Sequence, residues 1–150
     1  MTGFDTDLLD ELIERKLACL RQLEEVGEAQ LHLVRHGGMT ELLDVLGVKQ
    51  RLLRDLQAIE RSLDPFRNQD PDKRRWPSPA ARQRCAQHID QCEVLLSHIV
   101  AREKESEREL IRRRDQAAAQ LEGTHRAQQA RQAYAAQSPG RSGLDITWEG

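Results

Sequence analysis

Residues 42–66 read LLDVLGVKQRLLRDLQAIERSLDPF, and the spacing of their large side chains decides the fold. Leu42, Val45, Lys49, Leu52, Leu56, Ile59, Leu63 and Phe66 recur at alternating steps of three and four. On an α-helix that rhythm places all eight on one narrow seam. Seven of them are apolar, so the segment holds only if the seam packs against other helices. The eighth, Lys49, is expected to lay its methylenes along the seam, carry its ammonium out to water and set the register.

The same rhythm extends in both directions. Upstream, Leu9, Leu12, Ile13, Leu20, Leu23, Val26 and Leu31 stripe a first helix over about 5–36, which Asp5 or Thr6 is expected to cap. Acidic residues in its first turn, and Arg35 with His36 in its last, suit the helix dipole. Gly37-Gly38 is expected to end it in a left-handed turn. Thr40 is expected to cap a second helix over about 40–67, and so short a connection makes the pair an antiparallel hairpin. At 1.5 Å per residue the two helices run roughly 45 and 40 Å, a matched length.

Residues 67–79 break the pattern, because Asn68, Asp70, Pro71, Pro77 and Pro79 cannot share a helix interior. Ser78 followed by Pro79 is a favourable start for a third helix, over about 79–122. Its stripe is Cys85, His88 with Ile89, Cys92, Leu95, Leu96, Ile99, Val100 and, after a polar stretch, Leu110 and Ile111. Gly123 is expected to interrupt it and Thr124 to recap a weaker Ala- and Gln-rich segment over 124–136. Residues 137–150 read as a flexible tail with a Ser-Pro-Gly-Arg-Ser-Gly linker. The fold class is all-α: an elongated antiparallel three-helix bundle or coiled coil with a long third helix.

Composition agrees. The chain of 150 residues is 38% hydrophobic, 32% charged and 3% aromatic, a mix that favours helix and supplies a thin seam rather than a thick core. The net charge of −2 gives no general drive toward nucleic acid or acidic membrane. No apolar run nears the roughly 20 residues that span a bilayer. An acidic start without a secretory pattern, and an odd number of cysteines, suit a cytoplasmic, reducing setting.

Candidate chemistry is sparse. Cys85, His88 and Cys92 share a helix face that Cys19 could approach, a set suited to zinc, but small thiols on a bundle seam read first as core filling. The carboxylates lie in surface arrays such as Glu11 with Arg15 and Glu109 with Arg113. No phosphate loop or nucleophile motif is present, so neither catalysis nor a cofactor nor a metal is expected. The clusters Lys73-Arg74-Arg75 and Arg112-Arg113-Arg114 are too short, and the second too close to Glu103, Glu105, Glu107 and Glu109, to form a phosphate-binding stripe. Residues 112–136 differ in that Ala117, Leu121, Ala127, Ala130 and Tyr134 form small, shallow apolar patches whose packing surface the sequence does not identify. They are the expected partner-binding residues, by helix-in-groove recognition.

Taken together, the leucine-rich first helix, the Gly37-Gly38 turn, Leu42-Leu43 followed by Lys49 and Leu52-Leu53-x-x-Leu56, and a very long third helix with an Ala/Gln-rich end resemble the FlgN-like family of flagellar type III export chaperones. The resemblance covers residues 8–136. It implies a cytoplasmic chaperone that holds the C-terminal helices of hook–filament junction proteins, with Arg112 to Ala136 as the cargo-binding helix. The Pro-rich 67–79 loop and the Trp148 tail depart from the family pattern. The other expectation is a structural coiled-coil adaptor that homo-oligomerises through helix 3. In either case the partner is a protein, nucleic acid and membrane are not, and the chain is a monomer or a homodimer.

Overall fold

In the computed structural model, which describes residues 4–137, three helices account for most of the described residues: α1 (Asp7–His36), α2 (Met39–Arg67) and α3 (Pro79–Ala136). The chain divides into two compact units, Met1–Glu109 and Leu110–Gly150. The first is the bundle, formed by α1, α2 and α3 as far as Glu109.

The seam that opens the sequence does what its spacing requires. Leu42, Leu52, Ile59 and Leu63 are buried, and Val45, Lys49, Leu56 and Phe66 are partly so; none of the eight is exposed. They meet the α1 stripe in a core centred on Leu12 and Leu20, the latter 0% exposed. Contacts fix the direction of the hairpin. Cys19 donates to the Leu52 carbonyl at 3.4 Å, Lys16 meets Glu60 at 2.7 Å, and Lys49 reaches Gln30 at 3.1 Å. As α1 advances, its α2 partners recede.

The backbones of α1 and α2 approach closely, whereas α3 joins through longer side-chain contacts. Small buried residues, Ala81, Cys85 and Cys92, seat it, and Leu95, Leu96 and Ile99 add partly buried apolar surface. Ile89 and Val100, expected on the stripe, are exposed instead. A row of polar bonds aligns α3 parallel to α1: Arg21 to Gln91 at 3.3 Å, Arg102 to Glu28 at 3.5 Å, and Arg35 to Glu105 at 2.8 Å. Exposed pairs of this kind stabilise by only ~0.2–1 kcal/mol each, yet a whole row specifies register.

Helix ends depart from expectation in instructive ways. Thr6 sits at the start of α1 but does not cap it; its hydroxyl donates to the Arg75 carbonyl at 2.9 Å, and Asp5 accepts from the Asp7 N–H. That bond accompanies a two-residue parallel pairing of Phe4–Asp5 with Arg74–Arg75, which fastens the residues just before α1 to the 67–79 loop. Gly37 is not left-handed, with φ −103° and ψ −178°. It is glycine because a Cβ there would lie 2.5 Å from Leu33 Cδ2 and 3.0 Å from Leu33 Cα. Helix α2 starts at Met39 after Gly38, so Thr40 is a helical residue and not the cap. Ser78 behaves as expected, its hydroxyl accepting from the Ala81 N–H at 3.1 Å.

At Gly123 the expectation fails. Helix α3 passes through Gly123 without interruption, and the Thr124 hydroxyl donates back to the Gln120 carbonyl at 3.0 Å rather than capping a new segment. One glycine costs a helix ~1 kcal/mol, and the alanine, glutamine and arginine on both sides are strong helix formers. The expected tail with Leu144, Ile146 and Trp148 lies outside the described residues, apart from Gln137 in a turn. No helix among the described residues is long and apolar enough to cross a membrane.

Candidate functional site

Every residue from Leu110 to Gln137 is exposed, although Leu110–Ala136 is helical throughout. Leu121 is 73% exposed and Tyr134 59%, with Leu110 and Ile111 also open. All five sequence-predicted binding residues therefore lie on accessible helix surface. At about 100° per residue, however, an unbroken helix does not gather them on one face. Ala117 and Leu121 lie together, with Leu110 on the same stripe seven residues before Ala117. Ala127, Ala130 and Tyr134 form a second patch about 130° around the axis. The intervening surface is cationic, since residues 110–136 contain five arginines against Asp115 and Glu122. Residues 122–125 read Glu-Gly-Thr-His, a Glu-x-x-His spacing where none was expected, but Glu122 pairs with Arg126 at 2.7 Å and His125 meets Gln129 at 3.2 Å, both exposed on the helix.

The thiol set does not assemble. Cys19, Cys85 and Cys92 are free and buried, and Cys19 is turned to the Leu52 carbonyl. Burial pushes all three thiols above their ordinary range. Cys85 rises to about 11 through burial first, then through the nearby Asp10 carboxylate, with which it also shares a hydrogen bond. These are packing residues and poor nucleophiles.

His88 instead faces Asp10 and Glu14 of α1, with one ligand atom from each of the three lying within 4.8 Å of the others. Asp10 Oδ1 and His88 Nδ1 are shut off from solvent without a hydrogen-bond partner. The sequence alone groups His88 with the cysteines on its own helix, Cys85 and Cys92. The available signal was that Asp10 and Glu14, four residues apart, flank the buried Leu9–Ile13 stripe.

Lys49 does not simply carry its charge out to water. Its ammonium donates to Gln30 Oε1 of α1 at 3.1 Å and to Glu103 Oε2 of α3 at 2.5 Å, so all three helices meet at one cation. In the loop cluster, Arg74 donates to the Phe66 carbonyl at 2.7 Å, supplying the end of α2 with a cationic partner. A cavity of about 420 Å³ opens beneath this loop, walled by Leu9, Ile13, Leu63, Phe66, Trp76 and Ile89. Two of the cations on its rim, Lys16 and Arg67, are both committed to Glu60.

No protein-family model, curated protein or solved structure matches the chain.

Proposed function

We propose that this protein is a binding protein without catalytic chemistry, a cytoplasmic chaperone that holds a helical protein partner against Leu110–Ala136. One observation carries the reading. Some 27 consecutive residues form helix without burying a single side chain, while presenting Leu110, Ala117 and Leu121 on one stripe. A solvated helix of that kind is only marginally stable in water, so it gains most from a partner that covers its apolar stripe.

The chemistry of the partner follows from the surface. An amphipathic helix whose apolar ridge is flanked by acidic residues complements a leucine/alanine stripe set among arginines. The C-terminal helices of flagellar hook–filament junction proteins are the cargo that the FlgN-like resemblance names. The second patch, Ala127, Ala130 and Tyr134, would meet a different part of the cargo, wrapped around the helix.

The test is binding of those cargo helices to the full chain, measured by titration calorimetry. The wild type is expected to bind one cargo per chain, and Leu121→Asp to abolish binding with the bundle intact. Unchanged binding by Leu121→Asp would exclude this stripe. A homodimer that buries Leu110 and Leu121 and ignores the cargo would establish the structural-adaptor reading instead.

A further inference from the structure

Between α3 and the hairpin, several acidic side chains meet an arginine or lysine: Glu28 has Arg102, Glu105 has Arg35 and Glu103 has Lys49 of α2. Nearer the start of α1 the pattern differs. Asp10 and Glu14 stand one helical turn apart on α1, and among the described residues neither is paired with a lysine or arginine. What faces them from α3 is the imidazole of His88.

Two independent observations meet here. Three donor atoms from three side chains on two helices converge to within 4.8 Å. Two buried atoms of that trio, Asp10 Oδ1 and His88 Nδ1, have no hydrogen-bond partner. Buried polar atoms are nearly always satisfied, so two orphans in one cluster point to a missing partner between them. Hydrogen bonding within the trio does not supply it. A cation at the centre would satisfy the carboxylates and the ring nitrogen together.

We propose that Asp10, Glu14 and His88 form a zinc site that clips α1 to α3. Donors about 2.0–2.2 Å from zinc in tetrahedral array lie about 3.3–3.6 Å apart, so the ion would draw the three atoms together from their present separation of up to 4.8 Å. One imidazole and two carboxylates suit zinc or a neighbouring transition metal better than magnesium or calcium, which are held by oxygen alone. Two carboxylates and a neutral imidazole also balance the charge of a divalent ion. Cys85, whose thiol lies beside the Asp10 carboxylate, would help to orient it. Three protein donors leave a coordination position open to water. Because the trio exists only when α1 and α3 are docked in register, the ion would bind the folded bundle and raise its melting temperature.

The experiment is calorimetric titration of the full chain with zinc chloride, with a thermal melt and cobalt(II) absorption in parallel. One ion per chain is expected, with a rise in melting temperature and a cobalt spectrum lacking thiolate charge transfer. Glu14→Gln, at an exposed position, and His88→Ala should each weaken binding by at least about tenfold. Absence of stoichiometric binding overturns the proposal. So does a thiolate signature in the cobalt spectrum, or binding that Glu14→Gln leaves unchanged. Should His88→Ala fail to fold, Glu14→Gln decides alone.

Discussion

Two leucines separate the bundle from the binding surface. Leu20 is 0% exposed and Leu121 is 73% exposed, so the same residue type should have opposite importance to stability. Leu20→Ala removes buried methyl groups from a site walled on all sides and leaves a cavity, a change that costs ~2–5 kcal/mol. Leu121→Asp forfeits about a quarter of a leucine's burial, roughly 0.5 kcal/mol, plus roughly 0.5 kcal/mol of helix propensity. Its effect on the bundle should be smaller still, because unit Leu110–Gly150 is distinct from the unit that carries the core. Urea unfolding followed by circular dichroism at 222 nm, with the slope held common, measures both. The expected result is a large fall in midpoint for Leu20→Ala and almost none for Leu121→Asp. If Leu121→Asp costs more than ~2 kcal/mol, a core-sized loss, Leu121 is a core residue and the assignment of the second unit to binding is wrong.

Other outcomes follow from particular contacts. Lys49→Met keeps the apolar stem but strips the Gln30 carbonyl oxygen, on a residue 3% exposed, of its donor, so it should cost ~1–3 kcal/mol in the same urea assay; a neutral effect would mean Gln30 has another partner. Gly37→Ala forces a Cβ against Leu33 and should destabilise by ~1–3 kcal/mol, whereas Gly123→Ala meets nothing within 4 Å and should raise helicity without moving the bundle midpoint. Cys85 has a folded pKa raised to about 11 from 9.0, so its contribution to stability is complete below pH 9 and disappears as pH climbs through about 11. A pH series of thermal melts should show that alkaline loss, and Cys85→Ser should reduce it. Burial lifts the Glu60 carboxyl, but bonds from Lys16 and Arg67 outweigh it and hold it below its ordinary value, so its contribution is present at neutral pH and falls away only in acid. Lys16→Met should shrink the acid-side loss in the same melts.

The helices and their core faces were legible because hydrophobic spacing is local. The seam from Leu42 to Phe66 needs no knowledge of its partner, and Ser78-Pro79 marks a helix start by itself. What the chain concealed depends on distant residues or on small differences. Thr6 gives its hydroxyl to Arg75 because the loop lies beside it, which no local pattern announces. Gly37 answers to the Leu33 side chain rather than to a left-handed turn. Gly123 failed to break α3 because one unfavourable residue is outweighed by its neighbours. Once the helix is continuous, Ala117 with Leu121 and Ala127 with Tyr134 must turn away from each other. The Asp10–Glu14–His88 cluster is set by the register of α1 against α3, and that register rests on a row of long polar side chains invisible to periodicity.

The central claim is that the solvated stripe of Leu110, Ala117 and Leu121 binds a helical protein partner. Size-exclusion chromatography with light scattering tests it most directly, using the full chain alone and mixed with C-terminal helices of hook–filament junction proteins. The account predicts a complex of one chain with one cargo for the wild type and none for Leu121→Asp. A stable homodimer whose mass is unchanged by those helices would contradict it.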